Sequence, residues 1–378
     1  MNPILILGDC YFKGFENKKP SLDEIMSIDI LNTLRRSSFC LLNLESPLTN
    51  SEKPIPKDGP NLKSSPFSAE TIKEMNISLV GLANNHINDF GTNGILDTIS
   101  AIEKEGLNWF GLCSCKDYSH NCFIHSAGNT KIGFYAVCEN EFSGYYPETL
   151  GANIIERPRC LNEIAHLASE CDYTVVLFHG GKELYRYPTP LQQRICKEFV
   201  DFGADLVVCQ HSHCIGCLEQ YKDSTILYGQ GNFYFGSSGL EEYKEGLLIE
   251  LSFDDRGGKP KLNFLPIIAK GSTIVLANES ERKHILSSME SRKQELAEKG
   301  ADAIYYDRIL SKNTDFLYLF FNKGKWFSRF DRYIMKGRLI RRMAKKHKKR
   351  ILLFLNYLRC ETHHEFLMKI LDYYSNLF

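Results

Sequence analysis

Short apolar runs recur along the first two thirds of the chain, and each ends on a polar cluster. Ile4 to Leu7 runs into Gly8-Asp9, Phe39 to Leu42 into Asn43-Leu44-Glu45, and Ile77 to Leu82 into Ala83-Asn84-Asn85-His86. The pattern returns at Tyr173 to Phe178 before His179-Gly180-Gly181, and at Leu206 to Cys209 before Gln210-His211-Ser212-His213. It returns again at Thr225 to Tyr228 before Gly229-Gln230-Gly231-Asn232-Phe233. Lys131 to Val137 is a further strand candidate. Continuous apolar runs of this length predict buried strands. Helical spacing alternates with them, over Leu22 to Leu34, Ala69 to Met75, Ile95 to Glu105 and Pro190 to Phe202. Ser21-Leu22-Asp23-Glu24 has the spacing of a capping box, and Pro190 suits a first helical turn. Leu247 to Ser252 and Lys261 to Pro266 predict a closing hairpin. Ser46 to Ser68, rich in Pro, Ser and Lys, predicts a long loop and a candidate lid. Glu139 to Pro158 reads as irregular and aromatic, with Phe142, Tyr145 and Tyr146. Strands alternating with helices predict α/β layers. From Ile274 the pattern changes to long helices with few glycines.

Charge sharpens that last change. The 378 residues carry 46 basic and 46 acidic side chains. From Lys325 onward 14 Lys and Arg stand against 4 Asp and Glu, which leaves 32 against 42 on the rest. A tail of +10 is therefore attached to a body of −10. The domain division expected is residues 1–272 as the α/β body and 273–378 as a helical, basic extension. Thirteen cysteines are scattered, many in apolar runs such as those of Cys40, Cys138 and Cys209. The odd number and the lack of a framework spacing predict free thiols in a reducing compartment, the cytoplasm. Cys113-Ser114-Cys115 is too closely spaced for a usual zinc knuckle. Met1 to Leu7 lacks a basic n-region and is too short for a signal peptide or a spanning helix, and Ile351 to Leu355 is also too short to span.

The polar groups at strand ends are the candidate chemistry. Asp9, Glu45, Asn85 with His86, His179, and His211 with His213 each follow an apolar run. In a parallel sheet such ends face one side, where open α/β folds place their ligands. Imidazole, amide and carboxylate ligands at ~2.0–2.2 Å suit Zn, Mn or Fe. A carboxylate shared by two ions would hold them about 3.5–4 Å apart, and the pair could activate a water. Asp89 is placed as a partner of His86 or as a turn residue of its loop. His120, His125, His166 and His284 lack such settings and read as surface or structural. His363 and His364 lie in the helical tail.

These motifs resemble the CapA family of bacterial capsule and poly-γ-glutamate synthesis proteins, which is similar to the calcineurin-like metallophosphoesterases. The matching pieces are Gly8-Asp9, Asn43-Leu44-Glu45-Ser46-Pro47, Ala83-Asn84-Asn85-His86 with Asp89 and Gly91, and His179-x-Gly181-x-Glu183 with Tyr185. Gly203-Ala204-Asp205, His211-x-His213 and Tyr228 with Gly231-Asn232-Phe233 continue the series in order. They cover roughly residues 3–255. The resemblance implies a four-layer α/β/β/α sandwich with a two-metal site at one edge. It implies Glu45 as the bridging carboxylate, Asp9 and His213 on one divalent ion, and Asn85, His179 and His211 on the other. His86 would face the substrate, stabilising developing charge or protonating the leaving oxygen. The chain departs from the phosphoesterase pattern at the first strand, where Asp9-Cys10-Tyr11 replaces Asp-x-His, and at the second, where Asn43-x-Glu45 stands.

Glu183, Tyr185 and Arg186 follow His179 in a loop. Arg186 is the candidate for an anionic substrate group, since guanidinium matches carboxylate or phosphate geometry. Glu183 and Asn232 are placed with it on the substrate side. In the tail, Ile334, Met335, Leu339, Ile340 and Met343 recur at helical spacing between Lys and Arg. A basic amphipathic helix of this kind fits peripheral contact with the inner face of a membrane; a helix packed on the body with a solvated basic face fits the same pattern. Nothing resembles a nucleic-acid recognition module, so nucleic acid is not an expected partner.

Two functions follow. The first is a metal-dependent hydrolase of capsule or cell-envelope polymer synthesis, with a metal-activated water attacking a phosphoester or an acyl/amide link. The second is a non-hydrolytic accessory factor. It would bind an anionic polymer or a lipid-linked precursor beside a membrane-associated synthase complex.

Overall fold

Strand β1 (Ile4–Cys10) is buried along its whole length. Ile4 and Ile6 enter one apolar cluster, while Leu5 and Leu7 enter another. A strand turns successive side chains to opposite faces, so a strand covered on both sides reads as an unbroken apolar run. The computed structural model describes residues 2–351 apart from 58, 115–116, 145–148, 238, 255–257, 311–320, 322 and 350. Cys115, Tyr145, Tyr146, His363 and His364 lie outside the described residues. The chain divides into two compact units, Met1–Tyr305 and Tyr306–Phe378.

In the first unit the remaining main strands are β2 (Phe39–Leu44), β3 (Leu79–Gly81), β4 (Asn108–Phe110), β5 (Cys122–Ala127), β6 (Thr130–Cys138), β7 (Tyr173–His179) and β8 (Leu206–Gln210). They continue with β9 (Leu218–Tyr221), β10 (Ser224–Leu227), β11 (Asn232–Tyr234), β12 (Glu245–Ser252), β13 (Lys261–Lys270) and β14 (Thr273–Leu276). The main helices are α1 (Ile28–Arg36), α2 (Ser68–Glu74), α3 (Gly91–Lys104), α4 (Arg157–Glu170), α5 (Pro190–Asp201) and α6 (Glu279–Tyr305).

One sheet runs β14-β13-β12-β1-β2-β3-β4, with β11 also parallel to β1. The other runs β9-β10-β8-β7-β6-β5. Ile4, Ile6, Leu41 and Leu79 of the first meet Phe134, Val175, Leu177 and Val208 of the second in one cluster between the sheets. On the outer side of the first sheet, Leu5, Leu7, Leu42 and Val80 are covered by Ile30, Leu34, Ile72, Ile95 and Ile102 of α1, α2 and α3. Helices α4 and α5 cover the second sheet, where Phe199 meets Phe178 edge-on at 5.8 Å. The layers are α/β/β/α, as the resemblance implies.

Local detail departs from the sequence reading in places. The helix expected over Leu22 to Leu34 is two, Leu22–Ile25 and α1. Met26 is extended between them, and the Ser27 amide donates to the Ile274 carbonyl at 2.8 Å, so pairing with β14 interrupts the helix. The capping box at its start is present, with the Ser21 amide donating to the Glu24 carboxylate at 3.4 Å. Helix α4 and strands β4, β5, β9 and β14 went unread, because short or half-exposed elements carry weak periodicity. The hairpin is β12 with β13.

In the second unit, α7 (Lys325–Tyr333) and α8 (Arg338–Lys346) are separated by Gly337 at φ 74°. The single helix expected over Ile334 to Met343 is therefore broken. The Asp331 carboxylate accepts from the Leu339 and Ile340 amides at 3.0 and 2.8 Å and so caps α8. No helix among the described residues is long and apolar enough to cross a membrane. The described cysteines are all free, and most are buried.

Candidate metal centre

The parallel strands deliver their polar groups to one place. Asp9 lies near the end of β1, Glu45 follows β2, Asn85 and His86 lie in the loop after β3, His179 closes β7, and His211 and His213 follow β8. Pairing sets them side by side: Asp9 is in register with Asn43 and with Asn232, and Gln210 with His179.

Two groups of potential ligands result, Asp9–Glu45–His213 and Glu45–His179–His211. Within each, the ligand atoms lie within 4.8 Å of one another, and Glu45 belongs to both. Glu45 Oε1 is 3.6 Å from His179 Nε2 and 3.7 Å from His213 Nε2. Asp9 stands 3.6 Å from His179 and 3.8 Å from His213. Asn85 joins the second group, its Oδ1 lying 3.0 Å from His179 Nε2.

The electrostatics fit a candidate cation site. Glu45 is fully buried, and neither carboxylate oxygen has a hydrogen-bond partner among the described residues. An isolated charge in that setting is costly. Burial first, and then the neighbouring Asp9, push its pKa well above the ordinary value. His211 Nδ1 is likewise buried without a partner among the described residues. Burial, reinforced by His179 and His213, pushes the His211 pKa far down, and burial also lowers that of His213. A neutral imidazole is the form that ligates. Burial raises Asp9, but its interactions with His179, with His213 and with the His211 amide outweigh this and hold it at about 2. Hard carboxylate and borderline imidazole donors together fit Mn, Zn or Fe.

His211 and His213 are both left-handed, at φ 83° and 54°. Such strain in residues without glycine's freedom is stored where surrounding contacts over-determine it. Here the Asp9 carboxylate holds the His211 amide at 2.9 Å, and Asn232 Oδ1 holds His213 Nδ1 at 2.9 Å. Tyr243 stacks on the His213 ring at 4.7 Å.

His86 Nδ1 is 2.7 Å from the Asp89 carboxylate, and since an ionised carboxylate only accepts, Nδ1 is the donor. Asp89 is paired in turn with Lys57 of the loop between β2 and α2. Of the substrate-side candidates, Glu183 is exposed, and its charge adds to the burial that raises the Glu45 and Tyr243 pKa values. Arg186 is engaged with its own chain, donating to the Ile215 carbonyl at 3.2 Å and to Glu245 at 3.4 Å. Asn232 is buried against His213 rather than on an open wall.

Sequence reasoning missed two residues. Asn43 Nδ2 donates to Asp9 at 2.7 Å and lies 3.3 Å from His179 Nδ1, so it ties the first strand's carboxylate to the histidine of the other sheet. Its place two residues before Glu45 was the available signal. Lys57 carried none: it reaches His86 and Asp89 from a loop some thirty residues earlier.

Residues 4–237 match the family described as bacterial capsule synthesis protein PGA_cap. The chain belongs to that family. Asp9, Glu45, Asn85, His179, His211 and His213 all lie within the matched stretch. The capsule biosynthesis protein CapA of Bacillus anthracis is 27% identical over 233 residues, covering 59% of this chain and 56% of its own length. The PGA biosynthesis protein CapA of Bacillus subtilis is 26% identical over 228 residues, covering 59% of this chain and 60% of its own. The chain thus spans less than two thirds of the length of either relative. A phosphatase of known structure from Mycoplasma pneumoniae is similar at a TM-score of 0.45 and 17% identity, over 75% of this chain and 96% of that one.

Proposed function

We propose that this PGA_cap protein is a metal-dependent hydrolase of cell-envelope polymer synthesis, cleaving a phosphoester or an acyl/amide link in an anionic polymer or its precursor. One observation carries the reading: two carboxylate–imidazole groups share a buried Glu45 whose oxygens no donor among the described residues satisfies. Asp9, Glu45 and His213 would hold one divalent cation, and Glu45, Asn85, His179 and His211 a second. When bound, the cations supply Lewis acidity to the scissile group and lower the pKa of an attacking water. His86, its Nδ1–H committed to Asp89, would donate a proton from Nε2 to the leaving oxygen as the doubly protonated imidazolium, whose charge the Asp89 carboxylate offsets. Asp9 and Glu183 make the cation-free site acidic, so an anionic substrate binds there only once cations have reversed that field. The names of the Bacillus relatives support capsule and poly-γ-glutamate synthesis as the setting.

The test is metal content of the purified protein together with turnover of an aryl phosphate under Mn, Zn or Fe. His86→Ala is expected to keep the metal and lose roughly 10²–10⁴ in kcat. His211→Ala is expected to lose both. Stoichiometric metal with tight polymer binding and no turnover under any of the three ions favours the accessory role instead; a protein that binds no divalent metal overturns both.

A further inference from the structure

The sequence pattern puts the tail's apolar residues along one helix, but the fold divides them. Helix α8 turns Ile340 fully inward beside Phe321, with Phe327, Met343, Ala344 and Ile351 packed around them. Helix α7 does the reverse. Trp326, Phe330, Tyr333 and the adjoining Ile334 are 83%, 52%, 68% and 66% exposed. Their spacing of four, three and one places them on one helix face. Phe327 and Asp331, on the neighbouring face, make the contacts with α8.

Around this stripe the charge is of one sign. Lys325, Arg329 and Lys336 are exposed on or beside α7, and Arg338, Arg341, Arg342, Lys345 and Lys346 on α8. Between Lys323 and Lys349 there are twelve Lys and Arg and one acidic residue, Asp331, which is buried as the cap of α8. A contiguous exposed aromatic face is rare on a soluble surface and marks an interaction site.

We propose that α7 docks on an anionic phospholipid surface. Trp326, Phe330, Tyr333 and Ile334 enter the boundary between headgroups and acyl chains, and the surrounding Lys and Arg meet the lipid phosphates. Amphipathic rings sit well at that depth, and a basic cluster is drawn to an anionic leaflet. A second copy of the chain is the poorer occupant, because two such faces repel each other through their like charge. Nucleic acid would satisfy the charge but would leave Ile334 with no apolar partner. The inference does not depend on the hydrolase reading: a variant without turnover, such as His86→Ala, docks equally well.

The chain has two tryptophans, so Trp109→Phe leaves Trp326 as the only one. The full-length variant is mixed with vesicles of phosphatidylcholine, with or without phosphatidylglycerol. The expected result is a blue shift of Trp326 emission and quenching by brominated lipid, only with phosphatidylglycerol and weakened by salt. Co-sedimentation of the unaltered chain with the same vesicles gives the same answer without relying on the variant. Replacing Phe330, Tyr333 and Ile334 by Ser is expected to weaken vesicle partitioning at least about tenfold. No binding to phosphatidylglycerol vesicles, or equal binding to phosphatidylcholine alone, overturns the proposal. So does a concentration-dependent blue shift without vesicles, which assigns the face to a second copy, or a response to single-stranded nucleic acid only.

Discussion

Lys57 and Asp89 form an ion pair whose side chains are only 4% and 1% exposed. Asp89 also accepts from the Leu62 amide at 2.6 Å and from His86 at 2.7 Å. The long loop between β2 and α2 thereby fixes the carboxylate that orients His86. Removing one member of a buried pair leaves the other charge uncompensated, so Lys57→Met is expected to cost about 3–5 kcal/mol. Lys57→Met with Asp89→Asn should recover part of that loss, because no buried charge remains. Urea denaturation of the two single variants and the double variant measures this, and strictly additive losses would contradict it.

Glu45 gives a pH dependence with a definite sign. Burial, then Asp9, raises its folded pKa well above its ordinary 4.5. Its proton is retained in the folded protein at pH values where the unfolded chain has lost it. The stability it contributes is complete below about pH 4.5 and is lost as pH rises through the folded pKa. In cation-free protein at pH 7, Glu45→Gln should therefore raise Tm, with the gain shrinking toward pH 4. A divalent cation should raise the Tm of the parent far more than that of the variant. A cation-free variant that melts below its parent at pH 7 would refute this account.

The left-handed backbone at His211 separates strain from ligation. Alanine keeps the steric cost of φ 83°, and glycine does not. His211→Gly should be more stable than His211→Ala by about 1 kcal/mol, although both lose cation binding. Urea midpoints of the cation-free variants decide it.

Gly8 lies where two strands approach closely beside Asp9. A Cβ there would sit 2.1 Å from the Gly231 carbonyl oxygen, which is backbone and cannot swing away. Gly8→Ala is expected to lose about 4 kcal/mol or more, at the far end of single-substitution effects. A mild loss in thermal denaturation would mean that β1 and β11 separate easily.

Much of this protein is written locally. A strand buried on both faces must be apolar at every position, so β1, β2, β7 and β8 could be found from their own residues. Asp9, Glu45, His179 and His211 could be found too, because each is a polar group set directly against such a run. Helix breaks were not legible where pairing caused them, as at Met26, whose neighbour bonds to a strand from the far end of the unit.

Local pattern was enough for the α/β layering and for the residue types at the strand ends. That Glu45 falls between two candidate ligand groups, that Asn43 and Lys57 bond to members of the cluster and its loop, and that the exposed apolar face of the described tail lies on α7 rather than α8 follow from packing alone. The reason is one of range. Periodicity records which side of an element is buried, whereas the contact between Asp9 and the His211 amide joins residues 202 positions apart. Such a contact exists only once two sheets have stacked, and no local pattern encodes how they meet.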